Sequence, residues 1–123
     1  MLRTFLRAKI HRAAVTSADR DYEGSISIDR ALCRAAGLLE FEQVDVYDIS
    51  NGARFTTYVI YGEPGQIQIN GAAALLTQPG NRIIIAAYTA LAPEEIAAHQ
   101  ADIVLVNEKN QIVSAKRAPV RTP

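Results

Sequence analysis

The chain has 123 residues, 49% of them hydrophobic, with 13 Lys and Arg against 13 Asp and Glu. That is one domain with enough apolar material for a core, which excludes disorder. Zero net charge without a basic stripe argues against a nucleic-acid binder. A single cysteine, Cys33, rules out an intrachain disulfide, and with only His11 and His99 beside it no metal site is expected.

The elements follow in chain order. Residues 2–15 mix apolar and basic positions and read as a long strand, with a helix as the alternative. Arg3 and Arg7 break any secretory apolar run, and nothing reaches membrane-spanning length, so a cytoplasmic protein without membrane contact is expected. Ser25–Ile28 alternates and predicts a short strand. Asp29 caps a helix through Ala31–Ala36, which Gly37 ends. Val44–Ile49 alternates again, and Asn51-Gly52 is the strongest hairpin signal, with Arg54–Tyr61 as the return strand. Glu63-Pro64-Gly65 is a turn before the alternating strand Gln66–Asn70, and Gly71–Ala74 begins a short helix. After the Pro79-Gly80-Asn81 turn, Arg82–Leu91 reads as a fully buried strand. Pro93–His99 predicts a short helix, with His99 complementing its dipole. Asp102–Val106 and Gln111–Lys116 form a last hairpin, and Ala118–Pro123 a loose tail.

Short strands at this spacing, with two or three short helices, predict a mainly β fold: a small barrel of six to seven strands in a single domain, residues 1–123. The absence of G-x-G-x-x-G and of a P-loop disfavours dinucleotide and nucleoside-triphosphate sites. A neutral chain also favours self-association.

Four constellations carry possible chemistry. Gly24-Ser25 stands first. On composition Ser25 is a turn residue, and no G-x-S-x-G supports a hydrolytic nucleophile. A serine hydroxyl can also attack the carbonyl before it. The resulting ester eliminates to dehydroalanine, and hydrolysis leaves a pyruvoyl group, an electron sink like pyridoxal phosphate. Glycine at 24 suits this by tolerating strained angles and leaving the carbonyl uncrowded.

The second is Arg54-Phe55-Thr56-Thr57-Tyr58. Arg54 offers a carboxylate clamp, Thr57 an oxyanion donor and Tyr58 a proton. Alternation puts Arg54 and Tyr58 on one face and Thr57 on the other, so a common site needs a bulge or a second subunit. The third is Asn70-Gly71-Ala72-Ala73-Ala74, where small residues admit a ligand to backbone N–H groups. The fourth is Lys9 with His11, two apart on one strand face. Cys33 reads as packing.

Together, in this order, these segments resemble the pyruvoyl-dependent aspartate 1-decarboxylases. The resemblance rests on Met1-Leu2-Arg3-Thr4, Lys9-Ile10-His11-Arg12, Val15-Thr16, Tyr22-Glu23-Gly24-Ser25, Ile28-Asp29 and Ala36-Gly37. It continues through Asn51-Gly52, Arg54-Phe55-Thr56-Thr57-Tyr58 and Asn70-Gly71-Ala72-Ala73-Ala74, covering roughly residues 1–117. It implies a double-psi β-barrel in a homotetramer with intersubunit active sites. It implies self-cleavage at Gly24–Ser25 into residues 1–24 (the β chain) and 25–123 (the α chain), with or without a maturation helper protein. Ser25 then becomes the covalent pyruvoyl cofactor, with no metal and no pyridoxal phosphate. L-aspartate forms a Schiff base there, loses CO₂, is reprotonated by Tyr58 and leaves as β-alanine for pantothenate synthesis.

The resemblance further implies that Arg54, helped by Lys9, holds a substrate carboxylate, and that Thr57 and the Gly71-Ala72-Ala73 backbone line the site. Thr57 and Asn70 serve processing, with His11 and Tyr22 in support. The segment between Tyr58 and Asn70 is short for the family, and the tail after Lys116 is not specific. A non-catalytic barrel for assembly or ligand binding is the alternative from another class, and the intact Gly24-Ser25, Arg54 and Tyr58 set argues against it. Glutamate in place of aspartate is a third reading, decided by pocket length.

Overall fold

The computed structural model describes Met1–Pro123. In chain order it holds β1 (Arg3–Ala14), β2 (Ser17–Asp19), β3 (Ser25–Asp29), α1 (Arg30–Ala36), β4 (Gln43–Asp48), β5 (Arg54–Gly62) and β6 (Ile67–Asn70). A 3₁₀ helix (Gly71–Leu76), β7 (Arg82–Leu91), a second 3₁₀ helix (Pro93–Ala98), β8 (Gln100–Val106) and β9 (Ile112–Pro119) complete it. The strands lie in the order β2-β6-β3-β5-β4-β7-β1-β8-β9.

Chain continuity curls this sheet. β1 pairs with β7 and β8 near one end, yet it runs within three residues into β2, which pairs with β6 at the other. In the connection the Val15 N–H donates to the Asn81 carbonyl at 2.9 Å and the Thr16 N–H to the Ile67 carbonyl at 2.8 Å. The two ends are thereby brought around a common interior, giving a small β-barrel. Its filling is β-branched: Ile10, Ile26, Val46, Val59, Ile69 and Ile85 come from six strands, none more than 1% exposed. Such side chains pack well on a pleated surface.

Nine strands form where six to seven were expected. The one without a sequence signal is β2, whose three residues are too few to show alternation. β1 is broken by register shifts between Leu6 and Ala8 and between His11 and Ala13, with Arg12 at φ 69°. Such bulges bend the strand and re-aim its side chains. β9 runs to Pro119, two residues into the expected tail.

α1 follows its capping signals. Asp29 accepts from the Ala31 N–H at 2.7 Å, and Gly37 closes the helix in the left-handed region at φ 70°. The second Asp29 oxygen accepts from the Gly65 N–H at 2.7 Å, so the cap also fixes the β5–β6 turn. Cys33 is a packing residue as expected, its thiol pushed up to about 12, chiefly by burial. His99 departs from its expected role. Its backbone N–H caps the second 3₁₀ helix, donating to the Ile96 carbonyl at 3.1 Å, but its ring turns to β1, with Nε2 2.8 Å from the Leu6 carbonyl and the ring tilted against Phe5. No helix is long and apolar enough to cross a membrane.

Asn110 staples three segments. Its Oδ1 accepts from the Ala14 N–H at 2.7 Å, and its Nδ2 donates to the Ala14 and Gly65 carbonyls at 2.9 and 3.0 Å. The residue is 3% exposed and sits at φ 60°, a conformation asparagine tolerates better than most. Asn110→Ala orphans these backbone groups and adds strain. It is expected to cost about 2–4 kcal/mol, read as a lower guanidinium midpoint at unchanged slope.

Candidate active site

β3 sets the centre of the site. It pairs with β5 in parallel, Ile26 opposite Val59, and with β6 antiparallel, Ser25 opposite Asn70. Ile26 and Ile28 enter the core, so Ser25 and Ser27 take the other face. Both serines are buried nonetheless, Ser25 to 2% exposure. The Ser25 hydroxyl donates to the Glu23 carbonyl at 3.2 Å. Its oxygen accepts from Asn70 Nδ2 at 2.9 Å, and the same amide nitrogen reaches Ser27 Oγ at 3.2 Å.

The Gly24–Ser25 junction is crossed at close range by Gly71, which opens the first 3₁₀ helix at φ 76°. A Cβ on Gly71 would lie 2.6 Å from Gly24 Cα, 2.9 Å from Gly24 N and 3.4 Å from the Tyr22 carbonyl. Glycine at 71 is therefore required both by conformation and by space. Gly24 differs from expectation: its φ lies outside the left-handed region, and an added Cβ would meet nothing within 4 Å. Tolerance of strain is therefore not what glycine supplies at 24.

The sheet register distributes the remaining residues. Tyr58 precedes Val59 as Ser25 precedes Ile26, so each stands one residue ahead of the first β3–β5 pair and on the same face of its strand. Arg54 lies four residues back on the same face of β5. Thr57 points to the other side, paired with core Val44, as alternation requires. Lys9 and His11 share the outer face with Arg54, through the rows Lys9–Ala86–Asp45–Thr56 and His11–Ile84–Tyr47–Arg54. Three strand spacings, about 14 Å along the sheet, separate them from β5. Ala72 is exposed and Ala73 packs against the core. One chain thus unites Tyr22, Gly24, Ser25, Asn70 and Gly71 and carries Tyr58 on the adjacent strand, while Arg54 stands about 13 Å further along β5 and Thr57, Lys9 and His11 lie apart.

Two shallow grooves run along β5 and share Thr56. One, of about 570 Å³, is lined by Phe41, Gln43, Thr56, Thr57 and Tyr58; the other, of about 260 Å³, by Asp45, Tyr47, Arg54, Phe55 and Thr56. In the second, the Arg54 guanidinium stacks 4.5 Å above the Tyr47 ring. The Tyr47 hydroxyl is 2.7 Å from that of Tyr88 and donates weakly to Asp45 at 3.4 Å, while Thr56 donates to Asp45 at 2.8 Å. Burial, then Tyr88, then Asp45 hold the Tyr47 phenol above its ordinary value. Sequence reading passed over Tyr47, Asp45 and Tyr88, and also Gln66 and Gln68 beside Asn70. The signal for the last two was the alternation Gln66-Ile67-Gln68-Ile69-Asn70, which puts three amides on one face.

His11 is half-buried, and its Nδ1 has no hydrogen-bond partner. Burial first, then the charges of Lys9, Arg12 and Arg82, lower its pKa below 6.5.

Comparison with known proteins bears on the chain as a whole. The family profile described as Aspartate decarboxylase matches residues 1–113. The chain is 53% identical over 117 residues to a protein named aspartate 1-decarboxylase from Hydrogenobaculum sp. (strain Y04AAS1), covering 95% of this chain and 94% of the relative. The protein of that name from Cupriavidus necator is 49% identical over 119 residues, covering 95% and 99%. That from Corynebacterium efficiens is 55% identical over 116 residues, covering 93% and 85%.

Gly71→Ala is expected to displace the Gly24–Ser25 junction and to lower the melting temperature, whereas Gly24→Ala leaves melting nearly unchanged; calorimetry of both variants checks this. The His11 shift gives a second expectation. A depressed histidine pKa means the unfolded chain takes up the proton first as pH falls, so its contribution is present above pH about 6.5 and is lost below it. The unfolding midpoint of wild type should therefore fall more between about pH 7 and about pH 5 than that of His11→Gln. Equal slopes would refute it.

Proposed function

The chain belongs to the aspartate decarboxylase family, whose enzymes are carboxy-lyases, and we propose that it converts L-aspartate to β-alanine and CO₂ with a pyruvoyl group made from its own Ser25. The observation that carries the reading is the setting of Ser25: a buried hydroxyl at a Gly-Ser junction, with the Asn70 amide 2.9 Å from its oxygen and Gly71 pressed against Gly24. A turn serine has no need of such enclosure.

Self-cleavage balances on the chain's own atoms and one water. Ser25 Oγ bonds to the Gly24 carbonyl carbon, the Gly24–Ser25 C–N bond breaks, and the hydroxyl proton passes to the freed nitrogen. Removal of the Ser25 Cα proton then expels the Gly24 carboxylate from Cβ, giving residues 1–24 as one product. The dehydroalanine left on residues 25–123 takes up water and loses ammonia. The surroundings suit the group so formed, with no Cβ at position 71 to press on the junction and an N–H donor already aimed at its precursor. When present, the pyruvoyl carbonyl supplies an electron sink for the pair released by decarboxylation.

The chain's residues supply the rest. Arg54, pre-oriented by its stack on Tyr47, holds a substrate carboxylate with help from Lys9. The groove over Thr57 and the Gly71-Ala72-Ala73 backbone bounds the substrate. Tyr58, beside Ser25 in register, returns the proton. Thr57 and Asn70 act in processing as donors to the oxygens that gain charge, with His11 and Tyr22 in support.

Assembly as a homotetramer with sites between subunits completes the set, since a neighbouring copy supplies the members that one chain keeps three strands or one face away. Support comes from the apolar residues left in water near β5, Leu39 at 68% and Phe41 at 72% exposure. The place of action is the cytoplasm, with β-alanine passing to pantothenate synthesis and a maturation helper as a further partner.

Denaturing mass spectrometry tests the proposal. Two fragments broken after Gly24 are expected, the larger lighter by one ammonia than hydrolysis gives. Ser25→Ala should remain one chain and release no CO₂ from aspartate. Activity in that variant would sink the pyruvoyl mechanism.

A further inference from the structure

The amide of Asn70 can face Ser25 with either its nitrogen or its oxygen, and the two ends have almost the same shape. What chooses between them begins at the β5–β6 turn. The backbone N–H of Glu63 can only donate, and it donates to Gln66 Oε1 at 2.9 Å. Gln66 therefore turns its Nε2 along the strand, to Gln68 Oε1 at 3.2 Å. That oxygen also accepts from the Ser17 hydroxyl of β2 at 2.7 Å. Gln68 is left to present its Nε2 to Asn70 Oδ1, at 2.6 Å. Asn70 is then left to present Nδ2 to Ser25 and Ser27.

The spacing is that of a strand, with residues 66, 68 and 70 on one face. Room for the first link exists because residue 62 is glycine: a Cβ there would lie 2.7 Å from Gln66 Oε1.

We infer that Gln68 and Gln66 are positioning residues for self-cleavage, forming with the Glu63 N–H and Ser17 a one-way amide relay that keeps the Asn70 N–H, not its carbonyl, on Ser25 Oγ. The inference rests on the self-cleavage reading above. The polarity matters chemically. Ser25 Oγ is the oxygen that attacks the Gly24 carbonyl and, as the ester oxygen, departs from Cβ with the Gly24 carboxylate. An N–H on it stabilises charge in the departure and keeps the oxygen aimed in the attack. A carbonyl lone pair in its place opposes the charge.

The relay can be reversed without touching Ser25. In Gln68→Glu the carboxylate only accepts, so Asn70 turns its N–H to residue 68 and its carbonyl to Ser25. In Gln66→Glu the carboxylate takes the Glu63 N–H and demands a donor from Gln68, which reverses both amides below it. Protonating either carboxyl restores a donor and the original polarity. Wild type, both variants and Gln68→Met are made by cell-free synthesis and followed by denaturing mass spectrometry at about pH 8 and about pH 4, below the ordinary glutamate value of about 4.3.

The expected result is cleavage slowed about tenfold or more in both Glu variants at the higher pH, recovering toward wild type at the lower, with Gln68→Met slow at both. A merely structural role would not give recovery on acidification, nor the same effect from residue 66. Wild type and all variants cleaving at equal rates would overturn this inference alone. Wild type that never cleaves would overturn the self-cleavage reading and this inference with it.

Discussion

β3 is buried on both faces, and the rest of the site depends on that constraint. Its Ile26 and Ile28 close the barrel core, while Ser25 and Ser27 face the amides of β6. A slip of one residue would put serines in the core and isoleucines among amides, so the register is strongly held. The buried hydroxyls in turn demand partners, and Asn70 meets both with one amide. Position and chemistry at Ser25 are thus fixed by the same packing.

From that strand the geometry spreads in two directions. Toward β6 and β2 the face is a ladder of neutral amides and hydroxyls, able to orient hydrogen bonds without introducing charge. Toward β5, β4 and β7 it carries charge and phenols, in Arg54, Asp45 and the Tyr47–Tyr88 pair. The junction between the two is Ser25 beside Tyr58. The proposed serine rearrangement and the proposed dicarboxylate chemistry would each use one of these surfaces, and the two meet on adjacent strands.

Backbone accommodation links the site to the barrel's connections. Gly71 presses on Gly24 at one end of the 3₁₀ helix. The other end is held by buried Asp48, which accepts from Thr77 at 2.7 Å and Asn81 at 2.9 Å, while Asn51 donates to the Leu76 carbonyl at 2.8 Å. The Asn-Gly hairpin is therefore more than a turn, since its loop anchors the wall that covers the Gly24–Ser25 junction.

Much of this was legible in the residues. Alternation located β3, β4, β5 and β6, Asp29 and Gly37 bounded α1, and strict period two placed Thr57 opposite Arg54 and Tyr58. Local signals suffice there because each depends on neighbours a few residues apart. The bulges of β1, the three-residue β2 and the place of His99 against Leu6 were not legible, because pairing with distant strands decides them. The same holds for chemistry. Sequence by itself determined which groups are present: a Gly-Ser junction, an Arg-Tyr strand and an amide-bearing alternation. Only the tertiary structure decided that Gly71 lies on Gly24, that Lys9 and His11 stand three strands from Arg54, and that the Glu63 N–H orients an amide at Ser25 through two glutamines. Those are relations across the sheet, set by register and close packing, which no local spacing encodes.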